Sequence, residues 1–361
     1  MVDVSVIIPT LNEEETIGIC IRKVQEVFKQ YGIEGEIIVA DNSEDDTPKI
    51  AESLGARVVT PDRRGYGYAY LYGFRFARGR YIVMGDGDDT YDFLEMPRLL
   101  EPLMKGEADL VIGSRFKGKI EKGAMPWLHR WIGNPILTWF LNLFFKAGVS
   151  DAHCGFRAIK REALERLGLG AEGMEFASEM IIEAVKHGLK IKEVPIIYRA
   201  RRSGMSKLSS FSDGWRHLKF MLLHAPNYLF TYPGLLLLFV GSFMIASALV
   251  NLHIGYKPGA HSMVAGSLLI LIGYQTLFFG LFARIIEGET LPKHLTLEKG
   301  ATVGALTLIA GLTWTARLLL KWIGSRGLPP IEHSIAGLIL ITLGLQTLFS
   351  SFMLSIVAGK K

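Results

Sequence analysis

The apolar positions of this chain follow two different rules, and the change falls near residue 210. Before it, short β-branched runs alternate with stretches of helical periodicity. VSVII over 4–8 is a run of the buried parallel type, lacking polar alternation because both faces are covered. Pro9-Thr10 ends it, and the pattern then predicts a helix from about Glu13 to Tyr31, with Asn12 as N-cap, Glu15 at the capping-box position and Gly32 as the stop. Further strands are expected over 36–40, 57–60, 81–84 and 109–112, and helices over 48–54 and 92–105. Such alternation builds an α/β, doubly wound, mainly parallel sheet, whose ligands sit outside the carboxyl ends of the strands.

After residue 210 the rule becomes length. Apolar segments over about 233–253, 263–286, 302–323 and 333–357 are each long enough to span a bilayer. The segment 264–288 aligns without gaps on 335–359, sharing Gly273/Gly344 and Gln275-Thr276-Leu277-Phe278/Gln346-Thr347-Leu348-Phe349, and weaker similarity links 234–244 to 304–314. The tail thus reads as an all-α transmembrane domain of two repeated hairpins, both in the same orientation. Gln275 and Gln346, at equal depth, are expected to hydrogen-bond between helices.

Residues 126–146 fit neither rule. Trp127, Trp131 and Trp139 crowd a stretch interrupted by Asn134-Pro135 and Asn142, so it is expected to lie in the membrane interface rather than cross. The expected domains are a cytoplasmic head over 1–210, a juxtamembrane amphipathic segment over 211–230, and the transmembrane domain over 231–361.

Charge sharpens this picture. The formal net charge is only +5, but Arg199, Arg201, Arg202, Lys207, Arg216 and Lys219 cluster just before the first span. That cluster suits anionic headgroups or phosphates, and equally holds its loop in the cytoplasm. The two cysteines, Cys20 and Cys154, stand far apart and in no metal-ligand spacing. No signal peptide precedes the first strand, so the head is expected to remain cytosolic in an integral, multi-pass membrane protein.

The residues at the strand ends carry the candidate chemistry: Pro9-Thr10-Leu11-Asn12-Glu13, Asp41-Asn42-Ser43, Asp86-Gly87-Asp88-Asp89 and Gly113-Ser114-Arg115. Carboxylates gathered there without balancing lysines call for a cation, and hard oxygen ligands suit Mg²⁺ or Mn²⁺ bridging a diphosphate. Asp86 and Asp88 are the candidate metal ligands. Gly65-Tyr66-Gly67 lacks the third glycine of a dinucleotide fingerprint and shows no strand–turn–helix context, and no Gly-Lys-Ser/Thr phosphate loop occurs. A dehydrogenase or nucleoside-triphosphatase is disfavoured, and no nucleic acid is expected as a partner.

With VIIPTLNEE (6–14), VADNSEDDT (39–47), GYGYAYLYGF (65–74), VMGDGDD (83–89), IGSRF (112–116), DAHCGFRAIKR (151–161) and KEVPIIYRARRSGMSKLS (192–209) in this order, the head resembles the A-type fold of family 2 inverting glycosyltransferases, and specifically polyprenyl- or dolichyl-phosphate hexose synthases. The resemblance implies that Pro9, Leu11, Glu13 and Asp41 hold the base and ribose of a nucleotide-sugar. It also implies that Asp86 and Asp88 bind metal and diphosphate, with Arg115 on the phosphates. Asp151 occupies the place of a candidate catalytic aspartate, against the plainer reading of a structural turn residue.

The expected reaction moves a hexose, with inversion, from a nucleotide-sugar to a polyprenyl or dolichyl phosphate at the bilayer. Arg201, Ser206 and Lys207 are expected to grip the acceptor phosphate. Local resemblance favours UDP-glucose, with GDP-mannose as the alternative. A processive polysaccharide synthase is disfavoured because Gln-x-x-Arg-Trp is absent. A non-catalytic scaffold or flippase-associated protein for lipid-linked sugars is the rival from another class.

Overall fold

In the computed structural model, the described residues are 2–202, 210–250, 252, 255–290, 295–325 and 327–359. They form two compact units, residues 1–221 and 222–361. The expected juxtamembrane segment is therefore divided, and its first part packs with the head. Helix α8 (Ser210–Leu223) contributes Met221, fully buried, to the head's core.

The head is built on a seven-stranded sheet of order β3-β2-β1-β4-β6-β5-β7. Its strands are β1 (Val4–Thr10), β2 (Gly35–Asp41), β3 (Arg57–Val59), β4 (Tyr81–Met84), β5 (Leu110–Ile120), β6 (Arg157–Lys160) and β7 (Ile191–Tyr198). β1 runs parallel to β2 from Val4↔Gly35 to Thr10↔Asp41, and to β4 from Val4↔Tyr81 to Ile7↔Met84. Register thus aligns the ends that carry Thr10, Asp41 and the turn after Met84. β6 is antiparallel to both β4 and β5, so the sheet is mixed at this point. β6 and β7 escaped the sequence reading: RAIK is short and charged, and β7 is half-buried, so neither shows a long apolar run.

Helices α1 (Ile17–Tyr31), α2 (Thr47–Ser53), α3 (Tyr66–Phe74), α4 (Met96–Met104), α5 (Asn134–Phe145), α6 (Arg161–Leu167) and α7 (Phe176–Lys186) complete the head. Gly32 ends α1 in the left-handed conformation, as expected of a helix stop. The start differs from expectation. The N-cap is Thr16, and Asn12 instead sits in a left-handed turn at φ 55°. Its side chain accepts from Glu44 N at 2.9 Å, tying the β1 and β2 loops together. A short polar side chain tolerates this conformation because it can bond locally.

In the second unit, α9 (Tyr232–Leu249) packs on α10 (Ala260–Ile286), α11 (Leu297–Ser325) packs on α12 (Ile331–Gly359), and α10 meets α12. Glycines set the closest approaches. A Cβ at Gly234 would stand 2.9 Å from Gly273 O, and one at Gly304 would stand 3.0 Å from Gly344 O. Gly241 against Gly266, and Gly311 and Gly337 one repeat later, mark the second crossing in each hairpin. Small residues let backbones approach where dispersion, not water, drives association. The expected bond between Gln275 and Gln346 is not formed. Their neighbours Tyr274 and Thr347 join α10 to α12 at 2.7 Å, while Gln346 Oε1 is buried without a partner.

Candidate active site

Beyond the carboxyl ends of β1 and β4 lies a cavity of ≈ 350 Å³. Pro9, Leu11, Glu13, Asp86, Asp88 and Arg115 all line it, as does Arg201. Asp41 and Asp151 are not among its lining residues. Asp41 accepts from Thr10 Oγ1 at 2.7 Å and from Ser43 Oγ at 2.5 Å, so it fastens the ends of two adjacent strands. Ser206 and Lys207 lie outside the described residues.

The 86–92 turn is tightly specified. Gly87 passes so close to β1 that a Cβ would sit 2.7 Å from Thr10 Cγ2, and its carbonyl accepts from Thr16 Oγ1 at 2.7 Å. Asp88 Oδ1 accepts from both the backbone and hydroxyl of Thr90, at 3.0 and 2.6 Å. Asp89 takes a left-handed conformation at φ 58° with its side chain fully buried against Lys23 at 2.6 Å. Backbone of this kind persists only where surroundings over-determine it.

Asp86 owes its setting to two residues that the sequence reading passed over. Tyr66 and Tyr70, one turn apart on α3, donate to the same oxygen, Oδ1, at 3.0 and 3.4 Å. Burial, and then the neighbouring Asp88, push the Asp86 carboxyl up to about 7. Such a group favours an added cation. The context denied to Gly65-Tyr66-Gly67 is present after all, since these residues lead from the loop after β3 into α3. Gly67 is required because a Cβ there would meet Ala171 O at 2.2 Å. The spacing of Tyr66 and Tyr70 was the available signal, because residues four apart share a helix face.

Arg115 and Asp151 form one buried unit. Arg115 donates from Nε to Oδ2 and from Nη2 to Oδ1, both at 2.7 Å, and from its backbone N–H to Oδ2 at 2.9 Å. Burial opposes the guanidinium charge, but Asp151 overcomes it and raises Arg115 well above its ordinary value. Glu193 holds the Asp151 backbone N–H at 3.0 Å. Arg157, also unmarked in the sequence reading, is 1% exposed. It donates to the carbonyls of Cys154, Ala177 and Ala152 at 2.7–2.8 Å, fixing the 151–157 loop.

The expectation of unbalanced acid is overturned. Arg199 pairs with Asp92, Arg201 with Asp88 and, at 3.5 Å, with Glu13, and Arg202 with Asp89 at 2.9 Å. These arginines come from more than a hundred positions away, and Lys23, which also reaches Asp89 and Asp92, from the other side of the turn in sequence, which is why local sequence showed no balancing cation. Arg201 therefore stands among the donor-side carboxylates. Among the described residues, no group of three or more His, Cys, Asp or Glu side chains is placed to hold a metal unaided. The Asp86–Asp88 pair fits the other arrangement, one or two carboxylates plus substrate phosphates.

A second cavity of ≈ 380 Å³ shares Arg115, His153, Met174, Tyr198 and Arg201 with the first. It continues to Pro126, His129 and Leu137 at the aromatic helix and to Gly214 and His217 of α8. Two joined chambers on an acidic strand edge suit an A-type sugar transferase whose donor and acceptor meet at a common wall.

Comparisons place the chain within that class. The profile described as Glycosyl transferase family 2 matches residues 5–168, and that described as Glycosyltransferase family 2 C-terminal transmembrane region matches 289–358. The low-salt glycan biosynthesis hexosyltransferase Agl6 of Haloferax volcanii is 45% identical, over 97% of this chain and 88% of that protein. The dolichyl-phosphate hexose transferase of the same organism is 34% identical, over 59% of this chain and 89% of its own length. Among solved structures, glucosyl-3-phosphoglycerate synthase from Mycobacterium tuberculosis, in complex with Mn²⁺, UDP and glucosyl-3-phosphoglycerate, superposes with a TM-score of 0.50 at 28% identity. It covers 61% of this chain and 78% of that one. The chain belongs to glycosyltransferase family 2. It is an integral membrane glycosyltransferase, with four helices among the described residues long and apolar enough to cross a bilayer.

Proposed function

We propose that this enzyme transfers a hexose, with inversion and with UDP-glucose as favoured donor, to a polyprenyl or dolichyl phosphate at the cytoplasmic face of the membrane. The observation that carries the reading is the pair of joined cavities. One is lined by Asp86 and Asp88, and the other by residues of the 126–137 segment, where Trp127 and Trp131 are 66% and 63% exposed. Exposed tryptophans on such a segment suit a helix lying in the lipid interface. The name of one relative, the dolichyl-phosphate hexose transferase of Haloferax volcanii, supports the same acceptor class.

Asp86 and Asp88 would hold Mg²⁺ or Mn²⁺, which when bound stabilises charge on the leaving diphosphate. Pro9, Leu11 and Glu13 line the donor side, and Asp41 positions them by holding the β1 and β2 ends together. Asp151 is a positioning residue: it orients Arg115, whose fixed guanidinium faces phosphate at the wall between the chambers. The acceptor phosphate is already anionic, so no strong general base is needed. Ser206 and Lys207 offset its repulsion from the donor, while Arg201, expected on the acceptor phosphate, stands on the donor side with Asp88 and Glu13.

A panel of nucleotide-sugars with a short-chain polyprenyl phosphate tests this. UDP-glucose is expected to give labelled lipid product, EDTA to abolish it, and Mg²⁺ or Mn²⁺ to restore it. Asp88→Ala is expected to lower the rate at least about 100-fold, the scale of losing one well-placed electrostatic group. Preference for GDP-mannose would reassign the donor, and absence of transfer to any lipid phosphate would sink the reading.

A further inference from the structure

The three arginines after β7 are not equivalent. The strand is pinned over the acidic turn by a Tyr91–Tyr198 bridge and by Arg199 N donating to Thr90 O at 2.9 Å. From there Arg199 reaches Asp92 and Arg202 reaches Asp89. Neither arginine, nor either of those aspartates, lines the donor cavity. Arg201 does line it, and its guanidinium sits on Asp88 Oδ2 and near Glu13 Oε1. Thr90 holds the other Asp88 oxygen, so the carboxylate cannot turn away without breaking two hydrogen bonds. The oxygen that Arg201 occupies is therefore the one open to a cation on the cavity side.

A guanidinium and a divalent ion on that oxygen repel each other and compete for its cavity-facing side. We propose that Arg201 is a built-in stand-in for the divalent cation: it neutralises Asp88 while the site is empty and is displaced when metal arrives with the donor diphosphate. The displaced guanidinium stays in the cavity, tethered through β7, where it gains phosphate as its new partner. Loading is thereby coupled. Metal alone must evict Arg201 with nothing to receive it, whereas metal with diphosphate supplies both a competitor and a destination. The role rests on the assignment of metal to Asp86 and Asp88.

The test is direct binding of Mn²⁺ to the full-length protein in detergent, read by water-proton relaxation with and without UDP. Without UDP, Arg201→Gln is expected to bind Mn²⁺ roughly tenfold more tightly than the wild type. That is the low end for a charge-assisted contact, because Arg201 is partly exposed. Arg201→Lys should fall between the two. Arg199→Gln, which removes the same charge from a contact outside the cavity, should match the wild type. UDP should strengthen Mn²⁺ binding more in the wild type than in Arg201→Gln. Wild-type affinity in Arg201→Gln, equal tightening in Arg199→Gln, or the same UDP coupling in both proteins would each overturn the proposal while leaving the metal site intact. No Mn²⁺ binding by the wild type would overturn the metal assignment itself, and the stand-in with it.

Discussion

Single residues here act mostly through partners that lie far away in sequence. Asp88 could be singled out locally because it follows the end of β4, and Arg115 because its strand was expected to end at 112, although β5 runs on through it to Ile120. Arg115's partner Asp151 is 36 positions away and Arg201 is 113 positions from Asp88, and no local pattern encodes such pairings. Burial was equally hidden for the histidines. His217 Nδ1 meets Ser178 Oγ at 2.9 Å, and its ring packs edge-on against His153 at 4.5 Å. Burial lowers His217 to about 4 and also holds His153 well below its ordinary value. Between pH 6.5 and about 4 the unfolded chain takes up the His217 proton and the fold does not. Stability contributed by the neutral ring is thus complete above 6.5 and lost as pH falls, by about 3 kcal/mol at 1.36 per unit. Asp86 works in the opposite sense, its raised carboxyl adding stability as pH falls through about 7. The comparison of His217→Gln with the wild type isolates the first effect. Denaturant midpoints of the variant should fall less between pH 6.5 and 4.5, and an unchanged slope would rule the assignment out.

Among the elements, those defined by long or β-branched apolar runs were legible: β1, β2, β4, α1 and the four spans. The edge strand β7, the short β6 and α3 were not, because tertiary contacts rather than their own pattern hold them. The hairpin repeat could be read from sequence, but its physical content is in the glycines. Gly311 approaches Ile341 N to 2.7 Å from an added Cβ, whereas Gly324 on the same helix has nothing within 4 Å. Gly311→Val should overpack the α11–α12 contact and cost about 1–3 kcal/mol, seen as a lower thermal midpoint in detergent. Gly324→Val should change that midpoint little. Equal losses at both sites would mean that helix propensity, not close approach, decides.

For the whole molecule, an even number of crossings returns the chain to its starting side. The basic residues around 199–219 favour the cytoplasm for that side. A cysteine at Lys257, in the loop between α9 and α10, is expected to react with an impermeant thiol reagent only from the face opposite the head. A cysteine at Glu289, after α10, should react from the head's own face, as should one at Lys293, outside the described residues. Labelling of position 257 from the head side would mean that one of the four helices does not cross. The 126–146 segment belongs to the head's compact unit, and its Trp127, Trp131 and Trp139 are exposed.

The paired glycine crossings have an evolutionary consequence. A hairpin that repeats its own contacts is an increment that can be duplicated or deleted as a block. A block of two crossing helices would enter and leave through the same leaflet, so its gain or loss would leave the chain's end on the same side. A single added helix would instead leave the end of the chain on the opposite side. The family profile that matches 289–358 covers the segment holding α11 and α12, one hairpin of the two and so one such block.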